Sequence, residues 1–317
     1  MPNPVTILAP AMVRPLLEPL LPPGVTVQWF SNVEEAVALA PSAEVGWLDL
    51  LSIHDRYEAV GVAVNAKWIS TIVAGLDALP LDILRGRDVV VTNGSGLNSE
   101  TVADYAVLGV LAMAKGFADV VRAHDRREWP ATAPGTAELD GSRALVIGYG
   151  TIGRMIGKRL EAFGVRVTGV RRSADPAADT LDSAEWRGAL GAFDWIVLAA
   201  PATTETKAML GAPEFAAMKP EARIVNIARG DLIDQPALIA ALEGGQIAGA
   251  FLDVTTPEPL PTDDPLWTAP NCTVTMHLSG RSQTSMFRRG AERFAANLRR
   301  YLAGEPLEHV VDVTRGY

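Results

Sequence analysis

Short apolar runs recur along the 317-residue chain, separated by stretches of helical spacing or by turn residues. Five runs in the first third, at 5–9, 25–29, 45–48, 68–73 and 89–92, have the length and boundaries of buried strands. Prolines crowd the chain before position 24 and keep the first helix short. Asn98 and Ser99 are good N-caps for a long helix. Glu100 falls in its first turn, and Val102, Tyr105, Ala106, Gly109, Ala112 and Met113 line one face. Residues 122–135 read as an irregular polar segment. Six further runs follow, at 144–148, 165–170, 195–199, 224–228, 248–253 and 273–276, again alternating with helical stretches. A last helix spans 284–302, with Phe287, Phe294, Leu298, Tyr301 and Leu302 on its apolar face and Gly304 as its stop.

This alternation belongs to the α/β class, with doubly wound parallel sheets. The last helix and the run Val310-Val311-Asp312-Val313 have no partner in a completed six-strand sheet, so they return to the first domain. The pattern predicts two Rossmann-like or flavodoxin-like domains. One comprises 1–97 and 283–317; the other, 98–282, is inserted in it. Ligands are expected at the carboxyl ends of the strands, and a small-molecule site in the cleft between domains. Loops of the small domain, Trp47 among them, are expected to shape that pocket.

The middle domain is organised around one stretch. Ala144-Leu145-Val146-Ile147 forms a strand, Gly148-Tyr149-Gly150-Thr151-Ile152-Gly153 matches G-x-G-x-x-G, and an amphipathic helix runs on to Gly164. Strand, glycine turn, helix and strand is the context of a dinucleotide-binding domain. Gly148 suits the tight turn, Gly150 lets the backbone approach a pyrophosphate, and Gly153 lets helix and strand pack. Thr151 and Ile152 open the helix, whose N-terminus faces the phosphates. In NAD-selective folds an acidic residue about 20 positions on binds the ribose 2′-OH. Here Arg171 stands 18 residues past Gly153, followed by Arg172 and Ser173, and no carboxylate appears until Asp175. Two guanidinium groups and a hydroxyl suit a 2′-phosphate. NADP(H) is therefore the expected cofactor. NAD(H), bound without an acidic partner beside solvated arginines, is the alternative.

A formal charge of -9 argues against a general nucleic-acid or membrane-surface binder and makes a local arginine pair more telling. Cys272 is the only cysteine, so no intrachain disulfide or thiolate metal cluster forms. Neither H-E-x-x-H nor an EF-hand pattern appears, and no metal is expected. The start lacks the basic region of a secretory signal, and no apolar run approaches membrane-spanning length. The expectation is a soluble, cytoplasmic protein.

Arg229, Glu258 and His277 each follow one of three successive strand runs, so a doubly wound sheet gathers them at one rim. Arginine binds a carboxylate bidentately. Histidine can protonate a carbonyl oxygen as the carbon receives a hydride. A carboxylate beside that histidine holds its tautomer and favours the imidazolium. Together with a nicotinamide, this set suits reduction of a 2-keto acid. Taken singly, Arg229 equally suits a surface ion pair, Glu258 a solvated Pro-Glu-Pro turn, and His277 a satisfied half-buried position.

Several separate blocks between Lys67 and Asp312 resemble the D-isomer-specific 2-hydroxyacid dehydrogenase family. Lys67-Trp68-Ile69-Ser70-Thr71-Ile72-Val73-Ala74-Gly75-Leu76-Asp77 is similar to its substrate loop, and Asn98-Ser99-Glu100-Thr101-Val102-Ala103-Asp104-Tyr105 to its interdomain helix. Val225-Asn226-Ile227-Ala228-Arg229-Gly230, then Leu252-Asp253-Val254 with Glu258-Pro259-Leu260-Pro261, then His277-Leu278-Ser279-Gly280 are similar to its arginine, glutamate and histidine blocks. The resemblance implies that Arg229 holds the substrate carboxylate and polarises the carbonyl. It makes His277 the general acid and base and Glu258 its hydrogen-bond partner. Backbone N–H groups near Ala74 and Gly75 would complete the carboxylate site. Pro201, Thr206, Ala228 and Asp253 match positions near the cofactor. The family usually has proline before the histidine, where this chain has Met276, so the backbone entering His277 is expected to differ. Within the family the chain most resembles the glyoxylate/hydroxypyruvate reductase-like branch, which implies small 2-keto acids as substrates and a homodimer through the nucleotide domain. The alternatives are a dinucleotide-sensing, non-catalytic protein of the corepressor type and a dehydrogenase for formate. The Glu258–His277 pairing argues against the latter, which resembles the same fold with glutamine opposite the histidine.

Overall fold

A computed structural model describes residues 4–49, 53–75, 79–175, 179–281 and 283–313, together with the backbone but not the side chains of 53, 54, 283 and 284. Leu76 and Asp77 of the substrate-loop block, and the expected boundary at Ser282, lie outside the described residues. The chain divides into two compact units, Met1–Asn98 with Ser282–Tyr317, and Ser99–Arg281.

Among the described residues the first unit is built on five parallel strands, β1 (Val5–Pro10), β2 (Val25–Phe30), β3 (Val45–Trp47), β4 (Trp68–Ser70) and β5 (Val90–Thr92), in the order β2-β1-β3-β4-β5. Helices α1 (Arg14–Leu17), α2 (Val33–Leu39), α3 (Ile53–Val62) and α4 (Leu81–Arg85) connect them. The C-terminal helix, Gln283–Ala303, packs on one face of this sheet. Its Phe294 stacks on Trp47 and Trp68, with ring centroids 5.3 and 4.9 Å away. Each such pair contributes about 0.5–1.5 kcal/mol beyond the area it buries. Trp47 is 1% exposed and belongs to this core, which corrects its expected place in a ligand pocket. The chain then returns along β5. Thr92 bridges Val310, and Asn93 donates its N–H to the His309 carbonyl at 3.1 Å.

Among the described residues the second unit carries seven parallel strands: β6 (Arg143–Ile147), β7 (Arg166–Arg171), β8 (Thr180–Asp182), β9 (Trp195–Leu198), β10 (Arg223–Asn226), β11 (Gly249–Leu252) and β12 (Cys272–Val274). Their order is β12-β11-β10-β9-β6-β7-β8, so the winding reverses between β6 and β9. Helices α5 (Ser99–Ala114), α6 (Phe117–Arg126), α7 (Thr151–Glu161), α8 (Trp186–Ala189), α9 (Ala212–Ala217) and α10 (Gln235–Glu243) cover both faces. Alternate residues of one strand therefore enter two cores. Leu145 and Ile147 pack in one, Ala144 and Val146 in the other. Burial on both faces is why these strands read as unbroken apolar runs.

Three sequence expectations need correction. The sheet has a seventh strand, β8, a half-exposed edge of three residues with no apolar run. Residues 122–126 are helical, because α6 is amphipathic and runs between left-handed Gly116 and Arg127. The strand expected through residue 73 stops at Ser70, and residues 71–75 form a bent loop.

Candidate active site

In the second unit the glycine turn closes the gap between β6 and β9. Gly148 has φ +96, and a Cβ there would lie 2.4 Å from Ala200 N, so only glycine fits. Gly153 would meet the Gly148 carbonyl oxygen at 2.3 Å, which fixes the close approach of α7. Gly150 differs: its φ is -82, and a Cβ there would meet nothing within 4 Å. Internal packing thus accounts for two glycines, whereas among the described residues no atom uses the space beside the third. Among the described residues no side chain caps α7, so the N–H groups of its first turn, opened by Thr151 and Ile152, are available to an anion. A pyrophosphate fits this cradle.

β7 ends at Arg171, whose guanidinium pairs with Asp175 at 3.1 Å with its side chain 41% exposed. Arg172 lies 3.9 Å from Glu205, and Ser173 is exposed. Both arginines stand at the carboxyl end of the strand beside the glycine turn, each offset by an acidic neighbour.

β10, β11 and β12 are neighbours, and the loops leaving their carboxyl ends carry Arg229, Glu258 and His277. Asn226 is fully buried at the end of β10. Its Oδ1 accepts from Ala228 N at 3.0 Å and its Nδ2 donates to the Arg229 carbonyl at 2.8 Å, so it shapes the Arg229 turn. The Arg229 Nη1 donates to the Ala228 carbonyl at 2.7 Å. A Cβ on Gly230 would sit 2.1 Å from the Thr255 carbonyl carbon, and Thr256 Oγ1 donates to Asp231 at 2.8 Å. The arginine loop and the glutamate loop are therefore packed backbone to backbone.

Glu258 accepts from Thr255 N at 3.1 Å through Oε1, and its Oε2 lies 2.7 Å from His277 Nδ1. The carboxylate accepts from Nδ1–H, leaving Nε2 as the outward nitrogen. Both side chains are about two-fifths exposed. Met276 and His277 have φ of +52 and +55, a left-handed conformation that costs about 1–2 kcal/mol per residue. Proline, fixed near -65°, cannot occupy position 276 in this turn. Asp253 holds it. Its carbonyl accepts from His277 N at 2.6 Å, Oδ1 from Leu278 N at 2.8 Å and Thr275 Oγ1 at 2.9 Å, and Oδ2 from Ser279 N at 3.1 Å.

The structure thus joins Glu258 to His277 and ties the Arg229 loop to theirs. Asp253, expected near the cofactor, is 1% exposed with both carboxylate oxygens committed to the histidine turn. Thr206 donates to the Pro201 carbonyl at 2.7 Å and accepts from Thr203 N at 2.8 Å, stapling the loop after β9. Asn226 was not singled out from sequence, although a polar residue inside an apolar strand was the available signal. In the first unit, Ala74 is exposed and Gly75 half-buried in the loop after β4. Among the described residues no group of His, Cys, Asp or Glu could hold a metal ion, and no helix is long and apolar enough to cross a membrane. A cavity of about 1000 Å³ opens at the amino-terminal edge of the large sheet, away from these loops, between α5, α6 and the residues entering β11 and β12.

Residues 107–279 match the family described as "D-isomer specific 2-hydroxyacid dehydrogenase, NAD binding domain". The chain is 34% identical over 274 residues to a glyoxylate reductase/hydroxypyruvate reductase of Homo sapiens, covering 83% of this chain and 82% of that one. Its fold resembles a D-isomer specific 2-hydroxyacid dehydrogenase family protein from Aeromonas salmonicida, with TM-score 0.87, 28% identity, and 98% and 99% of the two chains covered. It also resembles a D-isomer specific 2-hydroxyacid dehydrogenase from Xanthobacter autotrophicus solved in complex with NADPH and MES, with TM-score 0.80, 28% identity, and 99% and 100% covered.

Proposed function

The chain belongs to the D-isomer-specific 2-hydroxyacid dehydrogenase family, oxidoreductases acting on CH–OH groups, and on that premise we propose that it reduces a small 2-keto acid, of the glyoxylate or hydroxypyruvate kind, to the D-2-hydroxy acid. The observation that carries this reading is the 2.7 Å contact between Glu258 and His277 Nδ1 in a turn packed beside the Arg229 loop. Glu258 fixes the tautomer, so the protonated ring offers its second N–H, on Nε2, to a carbonyl oxygen. Arg229 holds the substrate carboxylate and polarises the carbonyl. In the first unit, the N–H groups of Ala74 and Gly75 are further donors for a carboxylate. Reduced nicotinamide, when bound, supplies the hydride. His277 gives its Nε2 proton to the carbonyl oxygen as the keto acid is reduced, and in the reverse reaction the neutral ring takes that proton back.

The cofactor is NADPH in preference to NADH. Arg171 and Arg172 exchange their single-charge carboxylate partners for a 2′-phosphate, a denser anion with more acceptors. The Xanthobacter relative's complex with NADPH supports this reading. The protein is a cytoplasmic homodimer whose second copy covers the apolar surface around the cavity, where Leu108, Phe117 and Val121 lie open. The test is a panel of 2-keto acids assayed with NADPH and NADH. Turnover of glyoxylate or hydroxypyruvate, faster with NADPH, supports the reading. Tight dinucleotide binding without turnover of any keto acid identifies a sensor instead.

A further inference from the structure

Asp49 is the buried carboxylate of the first unit among the described residues, 2% exposed, and the reaction above does not use it. It follows β3 by two residues. Its Oδ1 accepts from Thr71 Oγ1 at 2.7 Å, and its Oδ2 accepts from Trp47 Nε1 at 2.9 Å and from Ile72 N. The Arg56 guanidinium lies 4.0 Å from Oδ1, itself almost buried. Desolvating a carboxylate is costly, and an aliphatic side chain would fill this core without that cost. The geometry shows what the carboxylate is used for. Two of its three donors come from the loop that interrupts the apolar run after β4.

Residues 71–74 are pinned group by group. Thr71 N donates to the Thr92 carbonyl at 3.0 Å, and Ile72 N to Asp49. Val73 N donates to Thr71 Oγ1 at 3.2 Å, so Asp49 reaches it through the same hydroxyl. The Val73 carbonyl accepts from Gly94 N at 2.9 Å, and the Ala74 carbonyl from Asn93 Nδ2 at 2.8 Å. A Cβ on Gly94 would lie 1.8 Å from the Ile72 oxygen, which shows how tightly the loop is seated. Among the described residues the N–H groups of Ala74 and Gly75 are left without an internal partner. They are the donors assigned above to the substrate carboxylate.

We propose that Asp49 is a positioning residue for substrate binding: through Thr71 and Ile72 it bends the chain out of β4 and sets the Ala74 and Gly75 N–H groups for the carboxylate of the keto acid. It touches no substrate. The proposal rests on the keto acid reading, and the test separates the two.

Asp49→Asn keeps the shape but replaces one acceptor oxygen by an N–H donor. Thr71→Val keeps the shape but removes the hydroxyl linking Asp49 to Val73. Both variants are expected to raise the keto acid KM about tenfold or more, because displaced donors lose ground-state and transition-state binding alike. The kcat and the NADPH affinity stay near those of the unmodified protein. Thr71→Ser restores the KM. Hydrogen exchange gives a readout independent of activity: amides at 72–75 exchange about tenfold faster in both variants, while those of β4 do not change. Unchanged KM with unchanged loop exchange overturns the proposal. So does a KM rise accompanied by faster exchange across the whole small sheet, which would mark a general loss of stability. If the unmodified protein reduces no 2-keto acid, the keto acid reading fails, and the exchange result alone decides whether Asp49 holds the loop.

Discussion

Replacing Gly150 by aspartate separates the needs of the fold from those of a ligand. Gly150 is the N-cap of α7, with extended backbone that any residue adopts, and a side chain there meets nothing within 4 Å. Aspartate is a better N-cap than glycine by a few tenths of a kcal/mol. Its charge at the helix N-terminus adds about 0.3–1 kcal/mol. The unliganded protein should therefore gain about 0.5–1 kcal/mol, and its Tm should rise by about 1–4 °C. A pyrophosphate in the same space meets a carboxylate at about 4 Å, a repulsion of about 4 kcal/mol at an effective dielectric of about 20. Rotation of the side chain relieves up to half of that, so NADPH affinity should fall about 30- to 1000-fold. Thermal unfolding and a titration following NADPH fluorescence measure the two effects. Gly148→Ala is the contrasting control. Its φ of +96 and the Ala200 nitrogen 2.4 Å from the added carbon make it destabilising without any ligand, by about 1–2 kcal/mol from the backbone alone. Unchanged NADPH binding in Gly150→Asp would refute the placement of the pyrophosphate.

Other variants and conditions test the remaining parts. His277→Ala should lower turnover about 10²–10⁴-fold with NADPH affinity unchanged, and Arg229→Ala should act chiefly on the keto acid; steady-state kinetics with a parallel binding titration separates the two. Replacing Arg171 and Arg172 together by alanine should cut the NADPH-over-NADH preference about tenfold or more, and NADPH binding by the unmodified protein should weaken with added salt. Burial pushes the Cys272 thiol up to about 12, so alkylation of the native protein near neutral pH should be at least about 100-fold slower than in denaturant. Because that folded value lies above the unfolded one, its contribution to stability is complete below about 8.5 and is lost as pH rises through about 12. Denaturant melts at rising pH should show the decline.

The parallel strands were legible because both faces of each sheet are buried and the residues alone announce it. β8 was not: its three half-exposed residues, Thr180, Leu181 and Asp182, pair with β7 only because the sheet is already there. The end of β4 was hidden for a different reason. Ile72 and Val73 are as apolar as the strand before them, and what bends them away is Asp49, 23 positions earlier in the chain at Ile72. The glycine turn and the Glu258–His277 pair were legible because their chemistry requires those residue types. The supports beneath them were not. Asp253 and Asn226 act on backbone groups whose positions exist only after folding. Met276 stood out as a departure from the resembling family, yet its left-handed conformation carries no sequence signal, since glycine or asparagine usually marks such a position.

The proposed reaction adds a hydride from reduced nicotinamide to the carbonyl of a small 2-keto acid and a proton from His277 to its oxygen. The most direct measurement is reduction of hydroxypyruvate by NADPH carrying deuterium at the transferred position, with chiral analysis of the product. The expected result is D-configured product carrying one deuterium on the former carbonyl carbon, and its loss in His277→Ala. Product of L configuration, or deuterium-free product formed equally well by His277→Ala, would contradict it.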